Sequence, residues 1–226
     1  YTGDLGYEVF CENQHALALY DAITEAGRSH GMVPMGLDAL DVARIEAGFV
    51  LQGVDYVTAK NCLIDGLKST PDDAGLGWTV DLDREPFVGS EAIKAERNRG
   101  PVWDLVGLDI DWEAMEEMYA GLGIPPHLAP EACRLSVPVY DRDGAQVGQA
   151  TSTTWSPTCK QYLALAQVRR PHHLTGTALF IEHTPVFERL KLPATVIDKP
   201  FFDPERKRST PGASRSAPPP PPESEE

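Results

Sequence analysis

The sequence predicts an α+β protein in which helical segments come first and a run of short strands, closing as a small barrel or sandwich, comes second. Three observations carry this. Apolar residues recur at helical spacing over two early stretches. Short β-rich stretches bounded by glycine, proline and charge fill the second half. One connection, Asp141-Arg142-Asp143-Gly144, has the composition of a hairpin turn. No internal repeat is evident.

The chain opens on Tyr1-Thr2-Gly3-Asp4-Leu5-Gly6 ahead of the alternating run Tyr7-Glu8-Val9-Phe10, which reads as a turn feeding a strand. Asn13 is placed to cap a helix over 14–29, with Ala16, Leu19, Tyr20, Ile23 and Ala26 on one face and Gly31 closing it. A second helix is expected over 37–47. There Leu37, Leu40, Arg44 and Ala47 align, Asp41 is spaced to pair with Arg44, and Gly48 ends the helix. Strands are expected at 76–82 and 105–110, with a charged helix over 89–99 between them and a short helix over 112–119 after them. The segments 136–140 and 146–150 flank the acidic turn as a hairpin, with Gly144 supplying a positive φ. Strands at 163–168, 178–183 and 194–197 complete the series. The chain thus divides into an α+β unit over 1–97, a barrel-like unit over 98–203 and a tail over 204–226. The tail is Pro-rich and poor in apolar side chains, and is expected to be disordered.

Hydrophobic residues make up 42% and charged residues 24%, interspersed, and no apolar run reaches the roughly 18–20 residues that span a bilayer, so no membrane partner is expected. A net charge of −14 repels phosphate backbones, and no basic stripe offsets it, which argues against nucleic acid. Cys11, Cys62, Cys133 and Cys159 lie far apart, outside any C-x-x-C spacing. They predict reduced thiols, no metal site, and a cytoplasmic location or, in a eukaryote, the mitochondrial matrix. The chain begins at Tyr1 and runs straight into a turn-and-strand pattern, which is read as a truncation.

Self-contained catalytic motifs are missing: there is no G-x-S-x-G elbow, phosphate loop or H-E-x-x-H. His172 and His173 follow Pro171 in a loop without further ligands at metal-binding spacing, so a solvated loop is expected. Glu8 reads first as a solvent-facing carboxylate. Arg44, a cation on an otherwise apolar helical face, reads first as an ion-pair partner of Asp41 or Glu46.

A resemblance adds to this. Tyr1-Thr2-Gly3-Asp4-Leu5-Gly6-Tyr7-Glu8 and Ala43-Arg44-Ile45-Glu46-Ala47-Gly48 resemble, in order and separation, the G-Y-T-G-E/D-x-G-Y/F-E and L-R-L-E-A-G segments of the glycine cleavage T protein (aminomethyltransferase) family. Gly75-Leu76-Gly77-Trp78-Thr79-Val80 and Pro86-Phe87-Val88-Gly89 resemble the G-L-x-W-x-V and D-F-I-G stretches that follow. Val147-Gly148-Gln149-Ala150-Thr151-Ser152, Ser156-Pro157 and Leu163-Ala164-Leu165-Ala166 resemble the pattern of its C-terminal barrel. The likeness runs through about residues 1–203.

The resemblance implies part of a central folate-binding α+β domain followed by a C-terminal β-barrel, in a transferase that moves a one-carbon unit from a small donor to tetrahydrofolate. It implies Glu8 as acceptor for the pterin's amino-pyrimidine edge, a pairing that suits a carboxylate's two oxygens, Tyr1 as a wall of the folate site, and Arg44 beside the folate. The family's catalytic aspartate is expected upstream of Tyr1, so no residue here is assigned a catalytic role and these residues alone are expected to be inactive. Glycine cleavage itself implies a lipoyl carrier protein as partner. Related readings are a folate-dependent O- or S-demethylase, the folate module of an amine-oxidising flavoprotein, and an iron–sulfur assembly factor. The last is disfavoured because no cysteine lies near Arg84 to Ser90. Two departures stand out: Leu40 replaces an arginine of the family's G-A-R-D, and the stretch 109–131 is longer than the usual linker.

Overall fold

The computed structural model describes residues 1–208. The second half is a closed barrel of antiparallel strands β1 (Trp103–Ile110), β2 (Val137–Tyr140), β3 (Gln146–Ser156), β4 (Gln161–Arg169), β5 (Ala178–His183) and β6 (Leu190–Ile197). Their order is β1-β4-β3-β2-β5-β6, and β6 returns to pair with β1. Closure leaves no edge strand to recruit another chain. The α+β class with a C-terminal barrel is therefore what the chain forms, and of the two all-β arrangements expected it is the barrel.

Side-chain alternation sorts each strand into an inner and an outer row. Val106, Leu108 and Ile110 of β1 point inward with Ala164, Ala166 and Val168 of β4, and this cluster continues through Val139, Leu179, Leu192 and Val196. Alanines facing branched residues let a narrow barrel fill without a void. The outer row of β4, Leu163 and Leu165, is also fully buried. A second layer must cover it, and helix α2 (Leu37–Glu46) packs on β3 and β4 there, with Ile45 fully buried. Each leucine so covered contributes about 1.5–3 kcal/mol.

The hairpin between β2 and β3 forms where the turn chemistry places it. Asp141 Oδ1 accepts from the Asp143 and Ala145 amides at 3.0 and 2.9 Å, and Gly144 takes φ +85°. Helix α4 (Trp112–Gly121), capped by the Asp111 carboxylate on the Ala114 amide, lays Met115 and Tyr119 into the barrel cluster and plugs one end. The unusually long 109–131 stretch is thus the end of β1, this plug and the start of the path to β2.

Helix α1 (Ala16–Arg28) and helix α3 (Ser90–Arg99) match the expected positions within a few residues. Asn13 caps nothing; it starts a short 3-10 turn that leads into α1. Nothing among the described residues covers α1, whose Leu17, Tyr20 and Ile23 stay exposed. Two expected strands do not form. Residues 7–10 have no hydrogen-bonded strand neighbour among the described residues, and alternation without a partner is not a strand. Over 76–82 the chain makes a 3-10 turn, Gly77–Thr79. Its carbonyls go to local amides and to Arg97, whose guanidinium donates to Gly77 O at 2.7 Å and Val80 O at 3.3 Å. Of the tail expected to be disordered, residues 209–226 lie outside the described residues, and Glu205–Arg208 forms a 3-10 turn with Arg206 paired to Asp4.

Gly148 lies where β3 meets β4 most closely, and a Cβ there would fall 2.2 Å from the Gln167 carbonyl oxygen and 2.9 Å from Val168 Cα. Both are backbone atoms, so no rotamer change relieves the clash. Gly148→Ala is expected to destabilise the protein by about 1–3 kcal/mol, as overpacking does. Gly6→Ala, with nothing within 4 Å of its Cβ, should leave the urea midpoint nearly unchanged.

Candidate functional site

Where α2 meets the barrel, three charged or hydroxylated side chains, Asp41 from the same helix and Asp55 and Ser152 from farther along the chain, converge on Arg44. This guanidinium is fully buried. It donates to Asp41 Oδ1 at 2.7 Å, Asp55 Oδ2 at 2.6 Å, the Phe49 carbonyl at 3.3 Å and Ser152 Oγ at 2.8 Å. Asp55, 1% exposed, is equally saturated: Oδ2 also accepts from the Leu51 amide at 2.8 Å, and Oδ1 accepts from the Thr151 and Ser152 hydroxyls at 2.6 Å each. A buried charge is tolerated only when its hydrogen-bonding capacity is met, and here both members of the pair meet that condition.

The strand supplies these hydroxyls by breaking its own rule. Consecutive side chains of a regular strand face opposite ways, yet Thr151 and Ser152 both reach one carboxylate oxygen. The register slips at this point, with Ala150 opposite Ala166 and Ser152 opposite Leu165, so Thr151 is the extra residue of a β-bulge. At the last residue of α2, Glu46 accepts from Ser156 Oγ at 2.6 Å, which ties the helix terminus to the end of the same strand.

Arg134, arriving from the β1–β2 connection, donates to the second oxygen of Asp41 at 2.7 Å. Burial alone would raise the Asp41 pKa, but hydrogen bonds from Arg134 and Arg44 outweigh it and hold the carboxyl below its ordinary 3.8. Tyr1 sits beside this knot. Its ring stacks on Phe49 at 5.8 Å and its hydroxyl donates to the Val50 carbonyl at 2.8 Å. Partial burial raises the phenol's pKa, so it stays a donor. Asp55 also borders a cleft of about 460 Å³ under the 54–57 and 66–69 segments, whose cations are Lys68 and Arg169.

The structure therefore brings Tyr1 and Arg44 together, on either side of the loop that follows α2, but it ties Glu8 to neither. Glu8 is exposed and makes no hydrogen bond with the described residues, so both carboxylate oxygens are open to an external pair of N–H donors. In that respect the residues present fit a pterin edge. Arg44 pairs with Asp41 as expected; Glu46 is not its partner, and Asp55 is. Asp55, Thr151, Ser152 and Arg134 escaped the sequence reading, although a lone carboxylate in the apolar run 49–57 and the adjacent hydroxyls of 151–152 were visible signals. His173 lies 3.9 Å from Asp104, and among the described residues no group of side chains could hold a metal ion.

Removing the cation from this knot leaves Asp41 and Asp55 buried without a countercharge. Arg44→Met is expected to cost about 3–5 kcal/mol in urea unfolding, and Ser152→Ala about 1–3 kcal/mol. Asp41, with its depressed pKa, contributes stability that is present above its unfolded pKa and is lost as pH falls through the folded value. Arg134→Gln raises that folded value, so the variant's acid unfolding should begin at higher pH than the wild type's, as followed by circular dichroism.

Two family descriptions match the chain: the GCVT N-terminal domain over residues 1–84 and the glycine cleavage T-protein C-terminal barrel domain over residues 121–203. The chain is 38% identical over 210 residues to a trimethylamine-oxide aldolase of Ruegeria pomeroyi, an alignment covering 92% of this chain and 23% of that protein. It is 32% identical over 202 residues to an aminomethyltransferase of Halalkalibacterium halodurans, covering 89% of this chain and 47% of that one. The glycine cleavage system aminomethyltransferase T of Bartonella henselae shares the fold, with a TM-score of 0.63 at 24% identity over 85% of this chain and 44% of its own. The chain thus spans about half the length of the aminomethyltransferases it matches. On the two matched domains, in order and on the fold they describe, the chain belongs to the glycine cleavage T-protein family.

Proposed function

We propose that this chain forms part of a tetrahydrofolate-dependent one-carbon transferase. The observation that carries the reading is Glu8, an exposed carboxylate with no partner among the described residues, on the same segment as a Tyr1 anchored to the loop after α2. Tetrahydrofolate, when bound, supplies the nitrogen that takes up the one-carbon unit. The chain's own part is to accept the pterin's N–H pair at Glu8 and to wall the ring with Tyr1. Arg44 acts through what it holds: it fixes α2 and the loop carrying Phe49 and Val50 against the barrel, and so fixes Tyr1. Positioning of this kind, with reactants held in register, is how such a protein contributes to the rate. We take 1–97 and 98–203 as its two units, because β1 precedes the matched barrel region yet completes the barrel. Four unpaired thiols favour a reducing compartment, cytoplasm or matrix.

A second reading, a folate module within a larger amine-processing enzyme, is favoured by the trimethylamine-oxide aldolase relative, in which the likeness takes up under a quarter of the length. The two readings differ in donor. Formation of 5,10-methylenetetrahydrofolate from an aminomethyl group on a lipoyl carrier protein, with release of ammonia, supports the first; formation from a methylated amine oxide, whose N–O bond is reduced as its methyl carbon is oxidised to the formaldehyde level, supports the second. Neither is expected of these residues alone, since they span half or less of the relatives' length.

Glu8→Gln is expected to weaken reduced-folate binding by about 1.5–3 kcal/mol, the range for a charge-assisted bond. Because Glu8 holds nothing in the fold, Tm should hardly move. Unaltered affinity by titration calorimetry removes Glu8 from the site. Leu40, half-buried one turn before Arg44, offers a second test: Leu40→Arg should tighten binding of polyglutamylated folate, while loss of folding would mean the helix has repacked around a buried leucine.

A further inference from the structure

The long β1–β2 connection does more than plug the barrel. With the mouths of β2, β3, β4 and β5 it encloses a second, separate pocket of about 250 Å³. Its walls are largely apolar, with Ile110, Leu128, Leu135, Val137 and Leu192 among them, and Thr153, Tyr162 and His183 also line it. Among the described residues no lysine or arginine lines it. The one carboxylate on its border, Glu182, is engaged by the Tyr140 hydroxyl at 3.2 Å and lies 3.8 Å from Arg189.

The hydrogen bonding at the rim is incomplete in an informative way. Tyr119 Oη lies 3.0 Å from His183 Nε2 and 3.2 Å from the His127 carbonyl, but a phenol has one proton to give. If it goes to His127, His183 donates through Nε2 and Nδ1 is a free acceptor; if it goes to His183, Nδ1 carries the proton and is a free donor. The bonds of the described residues leave Nδ1 without a partner in either case. Burial lowers the imidazole's pKa and raises that of the Tyr162 phenol, so both groups are uncharged near neutrality.

We propose that this pocket binds a small uncharged molecule with an apolar body and one hydroxyl head, of the size of a substituted phenol, at a site distinct from the folate contacts. The apolar walls take the body, and His183 Nδ1 accepts from or donates to the head according to its tautomer. Anions are disfavoured because the pocket offers no cation. A volume below the roughly 300–1,000 Å³ of drug-sized sites limits the ligand to something compact.

The test uses ¹⁹F NMR of 4-fluorophenol and 4-fluorobenzoate with the purified full chain, without folate, at about pH 8, where imidazoles of ordinary pKa are neutral. The wild type should broaden the phenol resonance and leave the benzoate sharp. His183→Phe keeps a ring in place, and Tyr119 retains the His127 carbonyl; binding should weaken about three- to tenfold, the loss of one neutral hydrogen bond. Leu135→Trp fills the mouth from a position 76% exposed, so folding is undisturbed and binding should disappear. The proposal is overturned if the wild type leaves the phenol unbroadened, if benzoate binds equally, or if both variants bind the phenol like wild type, which would place the probe on the exposed apolar surface of residues 1–37.

Discussion

A fully buried arginine is the constraint around which the first half of this chain is arranged. Taking the Arg44 guanidinium and two carboxylates out of water carries a large desolvation cost, and attraction within the pair offsets it only if every remaining donor and acceptor finds a partner. The structure meets that requirement from far away in sequence. Asp41 comes from the same helix, Asp55 from the next loop, and Thr151 and Ser152 from a barrel strand about a hundred residues on. The geometry therefore couples the placement of α2 to the register of β3, and neither can shift without stranding a charge.

That coupling explains why the strand tolerates a bulge in its middle. A regular β3 would turn one of the two hydroxyls into the barrel, where it would be unsatisfied among Ala164, Ala166 and their neighbours. The extra residue at 151 turns both outward to Asp55 at the cost of one local break in pairing with β4. The small residues of the surrounding strands serve the same closeness, most visibly Gly148, which brings the β3 backbone against that of β4. Through Phe49 and Val50 the same knot reaches Tyr1, so the segment bearing Glu8 is anchored at its start while the carboxylate itself stays free.

The barrel has two structurally different sides. Its outer face on β3 and β4 holds α2, and the mouth beside residues 127–135 holds a pocket. The connection that builds that pocket also sends Arg134 to Asp41, so one loop touches both places. Length in this connection, which looked in the sequence like a mere departure from the family's usual linker, thus has a structural use.

Local signals were enough for the helices at 16–28, 37–46, 90–99 and 112–121 and for the 141–144 hairpin, because helical periodicity and turn chemistry are satisfied within a few residues. The strands of the barrel were visible for the same reason, and the T-S and S-P positions were visible as pattern. Their role was not, since no feature of Thr151 or Ser156 in sequence says which carboxylate, Asp55 or Glu46, it will meet. Where the reading failed, it took alternation at 7–10 and β-rich composition at 76–82 for pairing, and pairing is decided by a neighbour elsewhere in the chain. The sequence by itself determined the order of elements, the family and the identity of Tyr1, Glu8 and Arg44 as candidates. Only the tertiary structure decided that the sheet closes, that Asp55 is the partner of Arg44, and that the long connection folds back over the barrel mouth, because each depends on contacts between residues too distant in sequence for local preference to specify.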